Sequence, residues 1–140
     1  MAKTVEELGA DGIDLVQEEG CGTDNMNCGD QSSLQLFFLG ELKRLMPNKT
    51  LTYTFPGDSG LINFPFRDVV QYGQQFVDSF NVYRARIPSP IVDQMEQEFH
   101  VPRSKIVWGL RIGCVNDNGV EDVGLNEAME FANKVREVEK

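Results

Sequence analysis

The feature that most constrains this chain is an alternation. Short runs of apolar, β-branched and aromatic residues are separated by segments whose apolar residues recur at three- and four-residue spacing. A strand period followed repeatedly by a helix period is the pattern of strand–helix units joined by crossovers into a parallel sheet. The expected strands are Gly12–Val16, Thr50–Phe55, Ser79–Tyr83 and Lys105–Ile112. Upstream of the first, Val5 to Gly9 reads as a helix end with Gly9 as its terminator. Ser32 or Ser33 is expected to cap a helix running through Met46, with Leu34, Phe37, Phe38, Leu42 and Leu45 along it and Pro47 at its end. Pro65 opens a short helix carrying Val69, Val70 and Tyr72. Pro88 and Pro90 open another over Ile91–Phe99, which Pro102 closes, and a last helix starts near Leu125 and runs to the C-terminus.

These four units in 140 residues, 41% of them hydrophobic, suit one α/β domain over residues 1–140. About 30 to 35 residues per unit is the spacing of an eight-fold β/α barrel at half its usual length. Four parallel strands cannot close, so both sheet edges are expected to need a cover. The alternative is an open flavodoxin-like sheet with helices on both faces. No Gly-rich phosphate loop follows the first strand, so a nucleotide site has no support.

A formal charge of −9 argues against nucleic acid and anionic membrane surfaces as partners, since phosphate binding needs clustered Lys and Arg. No apolar run approaches the ~20 residues that span a bilayer, and the first residues lack the charged-then-apolar form of a signal peptide. Of the three cysteines, Cys21 and Cys28 bracket a Gly/Asp/Asn-rich loop and suit a local disulfide in an oxidising compartment, which leaves Cys114 over. With His100 as the one histidine and no close ligand spacing, neither a zinc site nor another cofactor is expected. Asn116-Asp117-Asn118-Gly119 invites a calcium-loop reading, but that register would put the first ligand on Cys114. A turn explains it better.

The densest chemistry lies in Asp11-Gly12-Ile13-Asp14-Leu15-Val16-Gln17-Glu18. On a strand Asp14, Val16 and Glu18 point to one side, and Glu18 falls at the C-terminal end, where barrel sites are built. The stretch resembles the Asp-Gly-x-Asp-x-Asp-x-Glu signature of the family 18 glycoside hydrolases, the chitinases and their relatives, with Val16 at the middle carboxylate. The resemblance covers nearly the whole chain and corresponds to the second half of that barrel. Gly12 to Val16 is similar to the fourth strand, Thr50 to Phe55 to the fifth, Phe80-Asn81-Val82 to the sixth and Lys105 to Leu110 to the seventh. The first three strands and the eighth have no counterpart. The resemblance therefore implies a fragment of a longer product, or a half-barrel that assembles as a homo-oligomer or with a complementing chain.

In that family, as the resemblance implies, the terminal Glu protonates the glycosidic oxygen while the substrate's acetamido oxygen attacks the anomeric carbon. Glu18 is then the acid/base candidate and Asp14 a supporting carboxylate. Val16 cannot orient the acetamido group, and losing such a contact costs ~3–4 kcal/mol in the transition state. Ala85 and Arg86 stand where the family places a Tyr and an Asp, and Trp108 does not replace the eighth-strand tryptophan. Tyr53, Tyr83 and Arg84 are the candidate substrate-binding residues. Plainer readings stand beside these. Glu18 and Glu19 form a solvated acidic pair, Asp14 anchors a hydrogen-bond network, Arg84 and Arg86 pair with acidic side chains, and His100 sits at a helix end. The expected function is recognition of N-acetylglucosamine-containing glycans, with hydrolysis weak or lost. The alternatives are a structural or interaction subunit, or an active glycosidase. The family is often secreted while this chain shows no signal, which leaves its location open.

Overall fold

The computed structural model describes residues 1–17, 28–57, 66–85, 89–110 and 124–138. In chain order they form α1 (Ala2–Glu7), β1 (Gly12–Val16), α2 (Cys28–Leu45), β2 (Thr50–Pro56), α3 (Phe66–Tyr72), β3 (Ser79–Ala85), α4 (Pro90–Gln97), β4 (Ile106–Leu110) and α5 (Leu125–Val138). A single 3-10 turn, Arg103–Lys105, leads into β4.

Local chemistry sets most of these boundaries. Gly9 takes a left-handed conformation, φ 63°, just past α1. The Gly9 and Ala10 amides then donate to the Glu6 and Val5 carbonyls at 3.1 and 3.0 Å, a Schellman closure that turns the chain into β1. Ser89 caps α4 by accepting from the Val92 amide at 3.4 Å, with Pro90 at the first helical position. The expected start of α2 at Ser32 or Ser33 is corrected: the helix begins at Cys28 and Ser32 lies inside it, 1% exposed. Burial of Ser32 itself outweighs the capping preference of serine. α4 also stops two residues before the expected Phe99. Residues 111–112, expected to extend β4, lie outside the described part of the chain.

The four strands are all parallel and lie in the sheet in chain order, β1-β2-β3-β4. A sheet that grows in one direction by right-handed crossovers puts its helices on one side. Accordingly Val5, Leu39, Leu42, Met46, Val69, Val70, Ile91, Val92 and Met95 from α1 to α4 share one buried cluster with Leu51, Tyr53, Phe55, Phe80, Val82 and Ile106 from the strands. Those strand residues alternate, so they occupy a single face. The order has no reversal point, which the open two-faced alternative would require. The observed fold is therefore a mixed α/β arrangement with a sequential parallel sheet and its described helices packed on one face.

Candidate functional site

The opposite face of the sheet carries no described helix. Its side chains follow from the register in three rows: Asp14, Thr52 and Ser79; then Val16, Thr54, Asn81 and Val107; then Pro56, Tyr83 and Gly109. Strand alternation puts Asp14 and Val16 on this face together, as expected from the sequence. Val16 is 55% exposed and Val107 48%, while Thr52, Thr54, Asn81 and Tyr83 are half-buried among their neighbours.

Asp14 is the focus of a polar network drawn from three strands. The Thr52 hydroxyl donates to its Oδ1 at 2.6 Å, and the Thr54 hydroxyl lies 2.7 and 2.8 Å from Oδ1 and Oδ2. The Asn81 amide donates to Thr54 Oγ1 at 3.0 Å and reaches Asp14 Oδ1 at 3.4 Å. Ser79 in turn donates to Asn81 Oδ1 at 3.4 Å. Each hydroxyl has one proton to give, so Thr54 donates to the carboxylate while accepting from Asn81. The chain of donors converges on Asp14. This is the hydrogen-bond-anchor reading of Asp14, and it leaves the carboxylate at the surface with its neighbours fixed in direction.

Tyr83 stands on the same face, in the next row. Gly109 beside it leaves room for its backbone, since a Cβ there would lie 3.1 Å from the Tyr83 Cα. The Tyr83 carbonyl accepts from the Gly57 amide at 2.7 Å, which ties the C-terminal ends of β2 and β3 together.

Tyr53 does not join this group. Odd-numbered residues of β2 face the helices, and Tyr53 is 2% exposed, its ring 6.0 Å from Phe55 and 6.5 Å from Phe80. Its hydroxyl donates to Gln35 Oε1 at 2.8 Å, and Gln35 Nε2 donates to Gln17 Oε1 at 3.0 Å. Burial pushes the Tyr53 phenol well above its ordinary pKa, so it serves as a neutral donor. Of the candidate substrate-binding residues, Tyr53 therefore lies on the opposite sheet face from Asp14. Arg84 has its backbone in β3, and its side chain falls outside the described part of the molecule. Glu18, Cys21 and Cys114 also lie outside it, so the structure places neither the candidate acid nor a cysteine bridge. The last described residue before Glu18 is Gln17, whose amide donates to the Thr54 carbonyl at 2.9 Å and prolongs the ladder beyond β1.

Thr52, Thr54 and Asn81 are the members that sequence reasoning missed. A signal was present, because Thr50-Leu51-Thr52-Tyr53-Thr54-Phe55 alternates strictly and Asn81 interrupts an apolar run. Which strands flank Asp14, and in what register, is a property of the sheet. Among the described residues, no group of three or more His, Cys, Asp or Glu could hold a metal ion, and no helix is long and apolar enough to cross a membrane. No family model matches the chain, and neither the curated proteins nor the solved structures contain a significant match to it.

Proposed function

We propose that this chain is a chitinase-like domain that recognises N-acetylglucosamine-containing glycans on the sheet face opposite its described helices, with glycoside hydrolysis weak or lost. The observation that carries the reading is the Asp14 network with Thr52, Thr54 and Asn81, a fixed set of acceptors and donors of the kind that sugar hydroxyls and acetamido groups engage. Sequential parallel strands with helices on one side are also the arrangement of part of a β/α barrel, in which the other face would line the lumen. Val16 supports the loss of chemistry. It occupies the next position along Asp14's own strand face and brings an isopropyl group where a second carboxylate would orient substrate.

Calorimetric titration with a chitin oligosaccharide tests this. Saturable binding is expected for the wild type, weakened about tenfold or more by Asp14→Ala, the scale of losing a charged hydrogen-bond acceptor. No binding by the wild type rejects the reading. Turnover of the same oligomer is expected to be slight and to rise in Val16→Asp.

A second reading, as a subunit that assembles through its sheet, is favoured by the strands at either end. Among the described residues β1 pairs only with β2 and β4 only with β3, and both carry an exposed valine on the helix-free face. Light scattering decides it, since a stable monomer at high concentration excludes this reading.

A further inference from the structure

On the helix side of the sheet a cleft of about 170 Å³ opens between β1, β2 and α2, away from the Asp14 network. Leu15, Val16, Phe38 and Leu39 supply its apolar walls, with Val16 at the edge that β1 forms, while Gln17, Gln35 and Tyr53 form its polar part. Leu39 is fully buried and Phe38 is 40% exposed, so the cleft runs from the core to solvent beside the Phe38 ring. An apolar cavity of about 150 Å³ is large enough to hold benzene, which sets the size of molecule this space accepts.

The polar part has a defined direction. Tyr53 donates to Gln35 Oε1, and Gln35 Nε2 donates to Gln17 Oε1. These bonds orient the Gln35 carboxamide, whose nitrogen carries a second hydrogen, and leave a lone pair on the Tyr53 oxygen. None of the seven lining side chains carries a charge, and burial holds the Tyr53 phenol in its neutral form. An ion entering the cleft would lose hydration without a counter-charge to replace it.

We infer that this cleft is a binding site for a small neutral molecule with an apolar, ring-sized body and a single hydroxyl, the body lying against Leu15, Phe38 and Leu39 and the hydroxyl meeting Gln35 and Tyr53. The site meets the face proposed for glycans only at Val16 on the edge of β1, and none of the Asp14 network lines it.

Phenol, toluene and benzoate are the probes, titrated into the 15N-labelled full chain and followed by the side-chain amide signals of its glutamines. Phenol is expected to shift the Gln35 amide saturably and to bind about three- to tenfold more tightly than toluene, the scale of one net hydrogen bond. Benzoate is expected to leave that signal unmoved. In the double variant Gln35→Leu with Tyr53→Phe, which removes both polar partners together, the preference for phenol over toluene is expected to fall to about one. The inference is overturned by an unmoved Gln35 amide, by benzoate binding as well as phenol, or by a phenol preference that survives in the double variant. The wild-type titrations decide the matter alone if that variant does not fold.

Discussion

A methyl group on Gly12 would collide with the carbonyl oxygen of Thr50, its partner across the first strand pair. The glycine of the Asp-Gly-x-Asp stretch thus has a packing reason independent of any chemistry nearby: β1 and β2 approach this closely only without a side chain there. Gly12→Ala is expected to lower stability by ~1–3 kcal/mol, the usual cost of forcing atoms into a filled space. A urea unfolding midpoint equal to that of the wild type would show that the strand ends separate freely. His100 presents the opposite case. It holds φ 54° just after α4 with its side chain exposed, a conformation that costs a residue bearing a Cβ ~1–2 kcal/mol. His100→Gly should therefore raise the melting temperature, by a net ~0.5–1 kcal/mol once glycine's greater unfolded-state freedom is set against the relief. No gain would mean that the imidazole makes a contact that offsets the strain. Asp14 differs from both, because its position was legible from strand alternation while its three partners were not.

At the scale of elements, lysines tie the N-terminal ends of the strands to the segments that lead into neighbouring strands. Lys49 Nζ donates to the Ala10 carbonyl at 2.7 Å, and Lys105 Nζ to the Gln74 and Val77 carbonyls at 2.7 and 2.9 Å. Lys43 on α2 pairs with Asp78 at 2.9 Å, and the same Asp78 oxygen accepts from the Leu51 amide at 2.8 Å, joining α2, β2 and the start of β3. Burial pushes the Asp78 carboxyl up, but the Leu51 amide and the Lys43 and Lys105 ammonium groups outweigh it and hold it below its ordinary value. A depressed folded pKa means that the contribution is present above the unfolded value of ~3.9 and is lost as pH falls through the folded one. Asp78→Asn should therefore cost ~1 kcal/mol at neutral pH, modest because the carboxylate is half exposed, and next to nothing at the acid end. Chemical denaturation of both proteins between about pH 6 and 2 checks this, and curves that stay parallel throughout would contradict it. The elements themselves were largely legible, since β1 and the start of α5 fall where the hydrophobic period put them. The start of α2 was not, because tertiary burial of Ser32 overrode a local capping signal.

Across the whole molecule, one apolar cluster runs from α1 to β4. Phe55 lies near its centre, fully buried, 6.0 Å from Tyr53 and stacked on Phe66 at 5.6 Å. Trp108, the one tryptophan, sits toward the other end against Phe131 at 4.5 Å and reports on the packing of α5. Phe55→Ala is expected to cost ~3–5 kcal/mol and to shift the Trp108 fluorescence and far-UV circular dichroism transitions together. Transitions that separate would divide the molecule into independent units. By itself the sequence determined that four strand–helix units alternate, that their sheet is parallel, and that Asp14 and Val16 share a face, because these follow from residue period and connection length, which are local. Only the tertiary structure decided that the strands lie in chain order with the described helices on one side, that Tyr53 faces the core, and that Thr52, Thr54 and Asn81 close on Asp14. Those depend on strand order, register and crossover direction, which arise from contacts between residues distant in sequence, such as Asp14 and Asn81, and leave no mark in any single segment.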